Sequence, residues 1–142
     1  MEITAAVVSE EGAQPQLETL ELDGTPRADE VLVRVVSAGV CHTDLSTAEN
    51  FYGSPPYPQV LGHEGAGVVE AVGEDVSGVG VGDHVAMSYD FCGECRNCLS
   101  GHVPYCENLY EHNFLGERVA DGTSPLSREG ERVSGCFFAQ SS

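Results

Sequence analysis

Four cysteines crowd one short stretch, Cys92-Gly-Glu-Cys95-Arg-Asn-Cys98-Leu-Ser-Gly-His-Val-Pro-Tyr-Cys106. Thiols spaced this tightly can converge on one tetrahedral zinc ion, each sulfur about 2.3 Å from the metal. That closes residues 92–106 into a metal-stapled lobe, whatever the rest of the chain does. Disulfides are the competing use of cysteine. The amino terminus, Met1-Glu-Ile-Thr-Ala-Ala, lacks the basic and apolar regions of a secretory signal, and no apolar run approaches the length of a membrane span. A soluble, cytoplasmic protein in a reducing pool is expected, and there thiols serve metals.

Charge narrows the function further. Asp and Glu number 23 against six basic residues, every one of them arginine, for a formal net charge of -17. A surface of this kind repels itself until salt screens it, which is the arrangement of proteins from salt-loving organisms; an ordinary acidic domain is the other reading. Either way a nucleic-acid zinc ribbon is disfavoured, because a chain without lysine and with this net negative charge would repel a phosphate backbone.

The chain of 142 residues with 41% apolar content suits one domain with a real core. Ile3–Val8 is rich in β-branched residues, and Gln16–Leu22 alternates; both read as strands. Val31–Val36 is almost wholly β-branched and reads as a central strand. Thr43 or Asp44 can cap a short helix running to about Glu49, and Pro55-Pro56-Tyr57-Pro58 forces an extended loop. Further strands are expected in Gly65–Gly73 and His84–Ser88. Residues Gly116–Gly130 read as polar and turn-rich, followed by an apolar segment from Val133 to Phe138. Glycines and prolines scattered between short apolar runs indicate a mainly β fold.

Cys41, at the end of a strand, and His63-Glu64, in a glycine-flanked turn, are weak signals taken singly. A soft thiolate with an imidazole suits zinc, and an open coordination position would make such a site catalytic.

These residues, set in order, resemble a known family. Gly62-His63-Glu64-Gly65-Ala66-Gly67, then Gly73, then Val76-Ser-Gly-Val-Gly-Val-Gly82-Asp83-His84-Val85 resemble the signature of the zinc-dependent medium-chain alcohol dehydrogenases. Gly39-Val40-Cys41-His42-Thr43-Asp44 and the four-cysteine run match the same family in order and spacing. Asp121–Leu126 and Phe137–Ser141 look most like its aryl, or benzyl-type, members. The resemblance implies a GroES-like, partly open β-barrel with short helices and a zinc lobe. It also implies oxidation of a small-molecule alcohol to an aldehyde or ketone, with hydride transfer to NAD(P).

Carried over position by position, Cys41 and His63 would be ligands of the catalytic zinc, and Glu64 a carboxylate able to approach it as ligands exchange. Asp44 would orient His63. Thr43 would pass the alcohol proton outward, though Ser46 stands where some relatives extend the relay with a histidine. His42 would face the cofactor pyrophosphate, and Tyr52, Ser88 and Tyr89 would lie near the substrate. Cys92, Cys95, Cys98 and Cys106 would hold the structural zinc.

The chain lacks a Gly-x-Gly-x-x-Gly dinucleotide fingerprint, and the family's third catalytic-zinc ligand is a cysteine for which Cys136 comes too early. Residues 1–142 are thus expected to be a truncated amino-terminal catalytic domain that leaves apolar surface and strand edges exposed. Such a chain would bind structural zinc without turning over alcohol by itself, and the intact enzyme would be a dimer or tetramer. A stand-alone zinc-stabilised binding module is the alternative.

Overall fold

The computed structural model of the protein describes residues 1–53 and 55–138. Strand β1 (Glu2–Val8) sends Ala5 and Val7 into one core while Val8 faces a second, and it pairs antiparallel with β2 (Gln16–Leu22), Ile3 opposite Leu20. The other edge of β1 carries the two-residue β4 (Gln59–Val60), which follows a cis Tyr57–Pro58 peptide. Beyond β2 lie β7 (Leu126–Arg128) and β8 (Glu131–Val133), giving the order β4-β1-β2-β7-β8.

The turn joining β7 to β8 is Glu129-Gly130, with φ of 53° and 83°. Both residues thus sit in the left-handed region that a two-residue hairpin demands. Just past β8, Ser134 forms a parallel bridge with Gln59, and the Val60 N–H donates to its carbonyl at 2.9 Å. The sheet therefore curls back toward its own first strand. Inside the curl Ala5, Val7, Leu20, Val60, Leu126 and Val133 form the main core.

A second sheet has the order β3-β5-β6, from β3 (Val31–Gly39), β5 (Glu64–Val72) and β6 (His84–Ala86). Its bends come from register shifts between Leu32 and Val33 and between Val35 and Ser37. Two glycines of this sheet region have no room for a side chain. A Cβ at Gly67 would strike the Arg34 carbonyl, and one at Gly73 would strike the carbonyls of Arg27 and Ala28. Between the two sheets runs a groove of about 860 Å³, lined by Ile3, Ala5, Leu17, Val33, Val35 and Met87 among others.

Helices are short: α1 (His42–Ala48), α2 (Arg96–Leu99) and α3 (Leu109–Asn113), with one 3-10 turn over Val103–Tyr105. Among the described residues no helix is long and apolar enough to cross a membrane. Five arginines are tied to carboxylates: Arg27 to Asp121, Arg34 to Glu70, Arg118 to Glu30, Arg128 to Glu18 and Arg132 to Glu117.

Two expectations need correcting. The strand beginning at Val31 is an edge strand rather than a central one, and it runs on to Gly39; Val35 and Val36 are 42% and 67% exposed. Its β-branched composition marks a pleated surface, not the number of its neighbours. The turn-rich stretch Gly116–Gly130 also carries the three-residue β7. The residue that starts α1 is Cys41, in extended conformation, not Thr43 or Asp44. Asp44 lies one turn in and reaches back to accept the Cys41 N–H at 3.0 Å, the reciprocal half of a capping box.

Candidate metal centres

The cysteine lobe is built from backbone turns that aim N–H groups at sulfur. Cys92 N–H points to Cys106 Sγ and Cys95 N–H to Cys92 Sγ, both at 3.4 Å, and Glu107 N–H lies 3.5 Å from Cys95 Sγ. The four sulfurs lie within 4.8 Å of one another, and the Cys92 and Cys106 sulfurs are 3.5 Å apart. Four sulfurs at about 2.3 Å from a tetrahedral centre would be spaced by about 3.8 Å, so the set fits zinc closely. Its acid–base chemistry points the same way. The Glu107 N–H, followed by contacts with Cys98, holds the Cys95 thiol down to about 6, while burial, and then Cys95, pushes Cys98 up to about 12. Thiols crowded like this resist becoming thiolates together, and a divalent cation removes that conflict.

The second group forms where β3 hands over to α1 and where the turn after β4 enters β5. Cys41, His63 and Glu64 each offer a ligand atom within 4.8 Å of the others. Asp44 organises them. This buried carboxylate accepts the Cys41 N–H at 3.0 Å, the Gly62 N–H at 3.0 Å and His63 Nδ1 at 2.9 Å. With Nδ1 donating to Asp44, the ring would keep its Nε2 lone pair for a metal, the arrangement usual for ligating histidines. Burial alone would lower the His63 value, but the Asp44 carboxylate and then Cys41 outweigh it, and the net shift is upward. The Cys41 thiol is held below its ordinary range by Thr43, first through its N–H and then through its hydroxyl, and next by His63. Thr43 Oγ1 lies 3.7 Å from Cys41 Sγ.

His42 is exposed at the first position of α1, and Glu64 is exposed at the first position of β5. Ser46 is half-buried on the same helix. Cys136 belongs to neither thiol group; it lines the apolar groove beside Arg118, and burial pushes its thiol up to about 11.

One part of the site was not foreseen. Beside His63 stands a wall of aromatic rings: Phe138 at 5.3 Å and Phe137 at 5.9 Å between centroids, Tyr89 stacked on Phe138 at 6.0 Å, and Phe114 stacked on Phe138 and edge-on to Phe137, both at 5.7 Å. Tyr52 continues it, tilted against Phe114 at 6.3 Å. Tyr52 and Tyr89 were expected near the substrate; Phe114 was not, and no local pattern marks it. Ser88 lies exposed just beyond β6. Of the segment likened to aryl-alcohol enzymes, residues 139–141 fall outside the described residues.

A curled barrel thus carries two groups of side chains able to hold a metal ion, a four-thiol lobe and a carboxylate-braced thiol–imidazole pair. Comparison with known proteins gives its family. The profile of the alcohol dehydrogenase GroES-like domain matches residues 27–137. A geraniol dehydrogenase of Castellaniella defragrans is 44% identical over 138 residues, covering 97% of this chain and 36% of that protein. An alcohol dehydrogenase zinc-binding domain protein from Burkholderia ambifaria superposes with a TM-score of 0.93 at 48% identity, over 100% of this chain and 38% of that one. Benzyl alcohol dehydrogenase from Acinetobacter calcoaceticus superposes at 0.86 with 40% identity, over 96% and 36%. The chain belongs to the zinc-dependent medium-chain alcohol dehydrogenase family. It spans little more than a third of the length of these relatives.

Proposed function

We propose that this chain serves as the metal-binding part of the catalytic domain of an NAD(P)-dependent alcohol dehydrogenase. In this reading Cys92, Cys95, Cys98 and Cys106 hold a structural zinc, and Cys41 and His63 supply two ligands to a catalytic one. The observation that carries it is the Asp44 carboxylate, which directs His63 toward Cys41 through a 2.9 Å hydrogen bond. A stand-alone binding module would need only the four-cysteine lobe, so a second braced thiol–imidazole group favours the enzyme reading over that alternative.

Zinc bound by this pair would supply Lewis acidity to an alcohol oxygen, lowering its pKa toward neutrality. The chain's own residues do the rest. Asp44 fixes the His63 tautomer and ring orientation. Thr43 offers a hydroxyl beside Cys41 through which the alcohol proton can leave. Glu64 sits close enough to exchange with a ligand. His42, exposed at the head of α1, is placed to meet a cofactor phosphate. The aromatic wall beside His63 would shield a bound alcohol from water, and NAD(P), when bound, would supply the hydride acceptor. Such a wall, with the similarity to benzyl alcohol dehydrogenase, favours a primary alcohol bearing an aromatic group. The absence of lysine and the net charge of -17 favour a salt-rich cytoplasm as its setting.

Metal analysis of the zinc-reconstituted chain tests the assignment. Two zinc ions per chain are expected, one of them lost in Cys41→Ser with the cysteine lobe still loaded. Equal zinc content in wild type, Cys41→Ser and His63→Ala would overturn it.

A further inference from the structure

The tyrosine of helix α3 lies outside both metal groups, yet it joins one to the surroundings of the other. Tyr110 Oη donates to the carbonyls of Gly53 at 2.8 Å and Tyr52 at 3.3 Å. Those carbonyls belong to the loop after α1, so the hydroxyl spans two segments far apart in sequence. Its ring stacks on Phe114 at 5.6 Å with the planes 13° apart. Phe114 in turn stacks on Phe138, whose ring lies against His63.

Helix α3 has only five residues, so nothing intrinsic holds it in place. It is fastened at the cysteine lobe on one side and at the segment leading into the lobe on the other, where the Asn113 carbonyl also accepts the Phe138 N–H at 3.1 Å. The Leu109 N–H donates to the carbonyl of the ligand Cys106 at 3.2 Å. At the other end Asn113, buried, accepts the Asp90 N–H at 2.8 Å and donates Nδ2 to the Asp90 carbonyl at 2.9 Å, and Asp90 lies two residues before Cys92. His112 adds a 2.6 Å contact to the Asp90 carboxylate. The helix is thus fastened where the cysteine run begins and where it ends, and it presents Tyr110 to the loop.

From this geometry we infer that Tyr110 is a positioning residue: through it the four-cysteine lobe holds the Tyr52–Gly53 loop, and with it the outer wall of the His63 pocket, so that metal in the lobe sets the shape of a pocket it does not touch. That the pocket receives an aromatic alcohol rests on the function proposed above; the tether does not.

Tyr110→Phe keeps the stacked ring and removes only the hydroxyl. In the zinc-loaded chain, hydrogen exchange at the amides of Phe51 and Gly53 should quicken about fivefold, the loss of one ordinary hydrogen bond. The zinc content should be unchanged. Emptying the lobe with Cys98→Ser should quicken the same amides in the wild-type background and add little where Tyr110 is already Phe. Wild-type exchange in Tyr110→Phe, or equal quickening by Cys98→Ser in both backgrounds, would overturn the tether. Saturation-transfer NMR with benzyl alcohol reads the pocket separately: transfer that Tyr110→Phe weakens is expected. Quickened amides with no transfer in either form would leave the tether standing and overturn the alcohol reading.

Discussion

Replacing Glu30 with glutamine strands a buried charge, that of Arg118. Arg118 exposes 8% of its side chain and donates to Glu30 through Nε at 2.5 Å and Nη2 at 3.0 Å. Its other carboxylate, Asp23, is half-exposed and 3.7 Å away. Glutamine keeps the shape but turns an NH2 group toward the guanidinium. Removing one partner of a buried pair costs about 3–5 kcal/mol. Glu30 is 30% exposed and Asp23 stays in reach, so the loss should fall lower, at about 2–3 kcal/mol. Against a total of about 5–15 kcal/mol that is a large fraction. Urea unfolding of the zinc-saturated chain in 1 M salt, followed by circular dichroism, measures it. The pH dependence supplies a second readout. Burial pushes the Glu30 carboxyl up, but hydrogen bonds from Arg118 and the Arg27 N–H outweigh it, leaving the folded value below the ordinary 4.5. The pair's contribution is therefore full above that ordinary value and fades as pH falls through the folded one, so wild type and Glu30→Gln should converge in acid. A loss below about 0.5 kcal/mol, or curves that stay parallel through the acid range, would refute the reasoning.

Gln59→Leu should stabilise the fold by about 1–2 kcal/mol in the same urea assay, because the Gln59 side chain is fully buried and neither amide atom has a partner among the described residues; a destabilised variant would contradict this. Asp44→Asn should weaken metal binding at Cys41 and His63 about 10–100-fold, measured by competition with a chromogenic chelator, while the cysteine lobe keeps its affinity. Raising salt from 0.1 M to 1 M shortens the screening length from about 10 Å to about 3 Å, and a chain of net charge -17 should melt at a higher temperature as a result; a flat profile would remove the case for a salt-adapted surface.

What could be read from the sequence follows how local each feature is. Gln16–Leu22 announces itself by alternation and is a strand at those very bounds. The cysteine lobe is legible because its ligands are near neighbours. Leu126-Ser-Arg and Glu131-Arg-Val are too short to show a period, and their pairing rests on a turn at Glu129-Gly130 that asks a glutamate to take a positive φ. Asp44 illustrates a deeper limit. As a helix cap or a histidine partner it had two plausible uses, and the structure spends its two oxygens on three donors from separate places, a choice only the assembled fold can make. The aromatic wall is invisible for the same reason: Tyr52, Phe114 and Phe138 come from three loops with no shared pattern.

That Cys41 both opens α1 and faces His63 has a consequence for how the molecule comes apart. A helix of seven residues does not persist by itself, so the direction of the Cys41 sulfur exists only while α1 stays docked through the buried Thr47 and Ala48. The cysteine lobe needs no such docking, its four sulfurs being gathered by adjacent turns. Gentle denaturation should accordingly empty the two centres in sequence, the upstream one as α1 frays and the lobe only when its own loop opens. The two metals would then report on different stages of unfolding in one polypeptide.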